Sequence, residues 1–406
     1  MPSNYLPDNI QMLKIKHTNA TFMMLIALYI IPLTGLSIDV YVPSLPNITT
    51  YFHVSANDAQ NTISIYILGL GISQLFCGNF IDRYGRRPSL LVGLSIYVVL
   101  AILVILSKNI LYITAFRLIQ GFSMGFIAVA ARSIFIDLYS GEEYYHKASY
   151  MTIAYSIGPI IAPAIGGCLE HLWGWQSCFY FLMSYAAFGL VLVYVGLPET
   201  LKQPSELSLT HIITRYKSML THKEYLLNTL ALTMLNSSLM LFALIGPFIV
   251  QDKLHYSPIM FGQMALLCGL AWFIGNLANR LLIRIHRNIK IKFALIFATI
   301  DLLAMFILAN YWFNLYVIVI PICLLLISAS IVFSNLFVHS PTLFPQFSAT
   351  ASAFMAGTFG LLSAVTCWIL TSTITYSSQI PMIIGYASLI SVVSLCHYVV
   401  RRNQVE

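Results

Sequence analysis

The chain has 406 residues, of which 59% are hydrophobic and 9% are charged, with a mean hydropathy of +0.82. Soluble proteins carry charge on about a quarter of their residues, so this composition excludes an ordinary soluble enzyme and indicates an integral membrane protein. The net charge of +7 does not indicate nucleic-acid binding, because the basic residues lie in short loops between apolar runs.

The sequence contains a series of long apolar runs, which predict membrane-spanning helices. A helix that crosses a bilayer needs about 20 mostly apolar residues. Residues 1–20 are polar and predict a cytoplasmic tail rather than a signal peptide, since no small-residue cleavage site follows the first apolar run. Twelve runs are long enough, and we number them span 1 to span 12. They lie near 21–43, 59–80, 89–107, 110–138, 148–170, 176–197, 225–250, 258–280, 292–309, 313–338, 347–372 and 380–400.

The basic residues predict the orientation of these spans. If the N-terminus lies inside, 17 of the 21 Lys and Arg residues fall in inner loops and tails, and only Lys108 and Lys253 fall in outer loops. The other two, Arg117 and Arg132, lie within span 4. Cytoplasmic loops carry such an excess of basic residues. We therefore expect both termini in the cytoplasm, with 401–406 as the second tail.

The longest internal polar stretch, 198–224, divides the spans into two sets of six. It predicts an N-terminal half at 21–197, a cytoplasmic linker and a C-terminal half at 225–400. Gly78, Asn79 and Arg83 recur 197 residues later as Gly275, Asn276 and Arg280. Two matching halves of six helices are typical of duplicated secondary transporters. The predicted fold is an all-α membrane protein with two pseudo-symmetric six-helix halves.

A charged loop, "GNFIDRYGRRPSL" (78–90), separates spans 2 and 3. Its arginines could serve only as a cytoplasmic topology anchor. That interpretation does not explain Asp82 or the glycines, of which Gly85 permits a tight turn.

Two ionisable residues, Asp39 in span 1 and Arg117 in span 4, lie at the same predicted depth. Both are roughly 6–10 Å below the outer surface at 1.5 Å per residue. Intramembrane charges are costly and by default mark a transport or coupling site. Two interpretations stay open: a structural ion pair, or a site where Asp39 carries an exchanged proton and Arg117 modulates its charge.

Span 5 carries small residues at four-residue spacing. Gly158, Ala162 and Gly166 form one smooth face that lets a second helix approach closely. Pro159 and Pro163 each remove a backbone hydrogen bond and permit bending. This pattern predicts either a kinked packing helix or a seal of the pathway.

Several stretches resemble a known family. The charged loop resembles the loop signature of the major facilitator superfamily, with Phe80 where leucine is usual. Other stretches are similar to the fourth-helix signature, the antiporter motif, the end of the first half and the Bcr/CflA-like drug:proton antiporters. In that order, the fourth-helix stretch is "RLIQGFSMG" (117–125), the antiporter stretch is "GPIIAPAIGG" (158–167) and the end of the first half is "LPET" (197–200). The stretches similar to the Bcr/CflA-like antiporters are "IDVYVPSLPNI" (38–48) and "ARSIFIDLY" (131–139).

The resemblance implies roles for particular residues. In a cytoplasmic gate, Arg86 or Arg83 would pair with Asp137, and Asp82 would reach groups near span 11. Arg87 and Arg132 are assigned to the same gate. Asp39 and Arg117 become proton-coupling residues. The antiporter helix comprises Gly158, Pro159, Ala162, Pro163, Gly166 and Gly167. The predicted substrate cavity is lined by Tyr29, Tyr66, Met124, Tyr155, Asn236, Met240, Asn335 and Phe354.

The expected function is a proton-coupled antiporter that exports small amphipathic compounds or drugs across the bacterial inner membrane. It would be a monomer in the lipid bilayer, would use the proton gradient instead of a cofactor and would bind no nucleic acid. A dedicated exporter of a metabolite or siderophore, or an importer of the same fold, stays open. An enzyme or a receptor is disfavoured, because the ten histidines are dispersed and the seven cysteines show no metal-ligand spacing.

Overall fold

A computed structural model describes residues 17–139, 141–201, 209–282, 284–344, 348–374 and 378–405. Every predicted span is a helix or a short series of helices. Spans 1 to 6 are His17–Ile30 with Leu33–Asp39 and Leu45–Phe52, Ala56–Gln74 with Cys77–Tyr84, Arg86–Leu106, Ile110–Leu138, Gly141–Trp173 and Trp175–Gly196. Spans 7 to 12 are Lys223–Pro247, Pro258–Leu281, Arg287–Ala309, Leu315–His339, Ser348–Thr373 and Ile380–Val405.

The lengths and surfaces of these helices define a multi-pass membrane protein. In the described parts of the chain, ten helices are long and apolar enough to cross a bilayer, and the bent pair of span 2 makes an eleventh. Span 5, with 33 residues, completes the twelve. Large apolar side chains such as Leu106, Val195 and Leu281 point outward and are mostly exposed. Exposed apolar surface on this scale suits contact with lipid rather than water.

Two spans have irregular C-terminal parts. Span 1 passes through the 3-10 turn Val42–Ser44, and span 7 continues into a π-helical segment at Phe248–Lys253. Each irregular segment coincides with a proline, Pro43 and Pro247 respectively. Proline removes a backbone donor and disturbs the α-helical hydrogen-bond series, and π-turns recur at functional sites.

The linker contains a helix that the sequence analysis did not predict, Leu209–Thr221. The hydroxyl of Tyr216 donates to the Leu75 carbonyl at 2.9 Å, and its ring lies 4.6 Å from that of Phe354. The linker helix therefore contacts one span of each half, span 2 and span 11.

The two halves meet through spans 2 and 11 and through spans 5 and 8. Glycines allow the backbones to approach. A Cβ on Gly167 would lie 2.5 Å from the Pro258 carbonyl oxygen, and one on Gly262 would lie 2.5 Å from the Pro163 carbonyl oxygen. These contacts join the C-terminal part of span 5 to span 8, near the start of span 8.

Candidate functional site

Arg117 is the centre of a polar cluster inside the N-terminal half. Its side chain is completely buried. Nη2 donates to the Ser37 carbonyl at 2.9 Å, and Nη1 donates to Gln120 Oε1 at 3.3 Å. The guanidinium carbon lies 4.1 Å from the centre of the Tyr66 ring and 5.5 Å from that of Tyr41. Aromatic faces attract a cation more strongly when it is desolvated, so hydrogen bonds and rings together hold this buried charge.

The local structure of span 1 explains the acceptor of Arg117. The helix Leu33–Asp39 ends two residues after Ser37, and carbonyls in the last turn of a helix lack helical partners. A cation near a helix C-terminus is also favoured by the helix dipole. The Ser37 hydroxyl lies 2.6 Å from the Tyr97 hydroxyl and 2.6 Å from the Leu33 carbonyl, which fixes this turn against span 3.

Asp39 and Arg117 are both buried, but they do not form an ion pair. Asp39 is 5% exposed and terminates its helix. Within the described residues, the salt bridges involve other carboxylates. Arg117 reaches Ser37, whereas Asp39, two residues further on, is rotated by about 200° around the helix axis. The interpretation as a structural Asp39–Arg117 pair is therefore wrong.

The charged loop between spans 2 and 3 forms a cluster at the end of span 4. Arg86 Nε donates to Asp137 Oδ2 at 2.8 Å and Nη2 donates to Asp137 Oδ1 at 3.3 Å, a bidentate pair. Arg86 also contacts Asp82 Oδ1 at 2.9 Å and donates to the Ile81 carbonyl at 3.0 Å. The resemblance allowed either Arg86 or Arg83 as the partner of Asp137, and the structure places Arg86 there.

Other expectations for this loop are corrected. Asp82 contacts Arg86 on its own turn, and its side chain is 49% exposed rather than packed against span 11. The short helix Cys77–Tyr84 bends 54° away from the rest of span 2 and carries Asp82 with it. Arg83 lies over the ring of Tyr84, and Arg132 donates to the Ala128 carbonyl of its own helix.

Glu199 and Thr200 complete the cluster from the end of span 6. Glu199 accepts hydrogen bonds from the backbone N–H groups of Arg86 and Arg87 at 3.0 and 3.2 Å, which places an anion at the start of span 3. Thr200 Oγ1 donates to Asp137 Oδ2 at 2.8 Å. The sequence analysis used "LPET" only as the end of a half and assigned these side chains no role. Gly85, at a φ of 102°, sits directly against the Glu199 carboxylate, where a side chain would clash.

Span 5 uses two faces. The predicted small-residue face meets span 1, since a Cβ on Gly158 would lie 3.1 Å from Gly35 Cα and one on Gly166 would overlap the Val40 carbonyl. The contact with the opposite half is instead made by Pro163 and Gly167. Ala162 is completely buried. The side chain of Pro159 lies outside the described residues.

The structure places the predicted cavity residues in several different environments. Tyr29 is turned toward span 6, where its ring stacks on Tyr185 at 4.3 Å and each hydroxyl donates to the backbone of the other residue. Tyr66 belongs to the Arg117 cluster, and Met124 is completely buried. Asn335 donates to Asn279 Oδ1 of span 8 at 2.8 Å.

The other predicted cavity residues have separate environments. Phe354 packs on Tyr216 of the linker helix, and Asn236 and Met240 in span 7 are half-buried. Tyr155 has a side chain outside the described residues. Two cavities, of about 490 and 340 Å³, lie between spans 9 and 12 and among spans 2, 3 and 4. None of the predicted cavity residues lines them.

The fold and these clusters agree with a comparison against protein families. A model of the Major Facilitator Superfamily matches residues 27–367. The chain belongs to this family.

Curated relatives include resistance proteins. Multidrug resistance protein D of Escherichia coli (strain K12) is 29% identical over 197 residues, 48% of this chain and 50% of that protein. A Bicyclomycin resistance protein homolog of Haemophilus influenzae is 29% identical over 198 residues, with the same shares. The chain thus spans about half the length of these relatives. Multidrug transporter MdfA of Yersinia pestis is 25% identical over 240 residues, 59% of each chain.

A solved structure supports the fold. The crystal structure of a D-xylose-proton symporter matches with a TM-score of 0.73 over 93% of this chain and 96% of that chain. At 14% identity, the likeness concerns the arrangement of the helices alone.

Proposed function

We propose that the protein is a proton-coupled antiporter that exports small amphipathic compounds, drugs among them, across the bacterial inner membrane. One observation carries the proposal: Asp39 is a buried carboxyl in a membrane-spanning segment and forms no ion pair within the described residues. Intramembrane acids by default mark a coupling site. The names of the relatives support drugs as the substrate class.

Coupling follows from the opposing influences on Asp39. Burial disfavours the charged form of a carboxyl, and hydration or a nearby cation favours it. Small changes in hydration as the site opens to either side then suffice to load or release a proton. A proton taken up from outside would be released inside when substrate binds, which drives the export of substrate.

The loop cluster is proposed to brace the cytoplasmic gate, with both termini and the segment 198–224 on the same side. Arg86, Asp137 and Glu199 all belong to the N-terminal half, so their contacts persist while the halves move relative to each other. We assign them to holding the inner ends of spans 3, 4 and 6 together.

Transport in everted membrane vesicles tests this function. Vesicles with an acidic interior should accumulate ethidium, a cation, or chloramphenicol, a neutral compound, and a protonophore should abolish the accumulation. In antiport, the compound enters the vesicle while protons flow out of it. Uptake that instead requires an alkaline interior would identify a symporter, and the proposal would be wrong.

A further inference from the structure

Two glutamine side chains join the halves at their outer ends. Gln60 of span 2 donates from Nε2 to the Leu244 carbonyl of span 7 at 2.8 Å. Gln251, in the π-helical segment after span 7, donates from Nε2 to the Pro43 carbonyl of span 1 at 2.9 Å. Each half thus contributes one amide donor and one backbone acceptor to the contact between the halves.

Both acceptors lie where the backbone departs from the α-helix. Pro43 belongs to the 3-10 turn Val42–Ser44. Leu244 precedes Pro247, and the following N–H, that of Phe248, donates to the Ile245 carbonyl three residues back. Irregular helix ends leave carbonyls available to side-chain donors, so these two segments are suited to accept hydrogen bonds from the opposite half.

Pro43 is four residues, or about one helical turn, beyond Asp39. A movement that breaks the Gln251 contact therefore acts on the segment that carries Asp39.

We propose that Gln60 and Gln251 are the outer gate of the transporter. Their amides hold the irregular ends of spans 1 and 7 against the opposite half while the outer side is closed, and both bonds break when it opens. The inference rests on the proposed transport by alternating access but requires neither proton coupling nor a particular substrate. A hydrogen bond between neutral groups contributes modestly, equivalent to about a 2- to 10-fold change in an equilibrium. Two such bonds can bias the closed state and still open readily.

Hydrogen–deuterium exchange of the purified protein in nanodiscs tests the gate. The variants are Gln60→Met and Gln251→Met, which keep the side-chain length and remove the donor. Exchange in peptides covering 40–46 and 244–254 should become about 2- to 10-fold faster in each variant. Exchange at the inner ends, in peptides covering 132–139 and 223–230, should become slower, because the population shifts toward the outward-open state.

Gln379→Met is the matched control. Gln379 is also buried and donates from Nε2 to a backbone carbonyl, that of Trp312 at 2.7 Å, but both residues belong to the C-terminal half. Its variant should leave exchange in the 40–46 and 244–254 peptides unchanged. Faster exchange at both ends of the molecule would indicate simple destabilisation and would overturn the proposal, as would unchanged exchange in both test variants. Because the readout requires no substrate, failure of the antiport function leaves this test intact.

Discussion

Replacing Arg117 with lysine is expected to reduce transport about 10- to 100-fold although the positive charge is retained. The guanidinium bonds to the Ser37 carbonyl and Gln120 at once while it lies against the Tyr66 ring. An ammonium group is compact and lacks this planar fork. A lost hydrogen bond to a charged group costs about 1.5–3 kcal/mol. Initial rates of ethidium uptake in everted vesicles measure the effect.

Ser37→Ala is the control for this variant. It removes the hydroxyl that contacts Tyr97 but leaves the backbone carbonyl that accepts from Arg117. We expect transport within a fewfold of the unmodified protein. If Arg117→Lys transports normally, or if Ser37→Ala is equally damaging, the arginine fork is not the feature that organises the site.

Replacing Gly166 with alanine is expected to destabilise the protein and strongly reduce transport. The added methyl group would overlap the carbonyl oxygen of Val40, so spans 1 and 5 would have to separate just beyond Asp39. Overpacking of this kind costs about 1–3 kcal/mol. Thermal unfolding in detergent, followed by intrinsic fluorescence, should show a lower midpoint.

Gly360→Ala provides the matched comparison within span 11. A Cβ at Gly360 meets no atom within 4 Å, and alanine is the better helix former. Its unfolding midpoint should be unchanged or higher. Equal midpoints for the Gly166 and Gly360 variants would contradict the close packing of spans 1 and 5.

The sequence predicted the number and order of the helices well because bilayer thickness dictates their length. The twelve runs and the two halves follow from hydropathy alone. The helix Leu209–Thr221 was not predicted, because it lies in a polar stretch that contains no long apolar run.

Side-chain direction was harder to predict. Tyr29 belongs to a helix that is apolar on all sides, so periodicity does not distinguish the face toward span 6 from the face toward the centre. The estimate of depth for Asp39 and Arg117 contained no information about rotation around the helix axis. Glu199 contacts Arg86 from more than 100 residues away in sequence, a distance that no local pattern spans.

The resemblance to a family identified Asp137 as a partner of the charged loop but left Arg83 and Arg86 as alternatives, and the structure shows the contact with Arg86. The roles of Gln60 and Gln251 are not predictable from the sequence. Each is a single amide without a motif, and its meaning depends on an acceptor in the opposite half.

The central claim is that substrate and proton compete for the site containing Asp39. Proton release from purified protein in weakly buffered detergent, on titration with ethidium and chloramphenicol, tests it most directly. Asp39→Asn is compared with Asp301→Asn, which removes another buried intramembrane acid, 8% exposed, from the opposite half. The account predicts that a compound that binds will release protons from the unmodified protein and from Asp301→Asn but not from Asp39→Asn. Tight binding without proton release, or release that persists in Asp39→Asn, would contradict it.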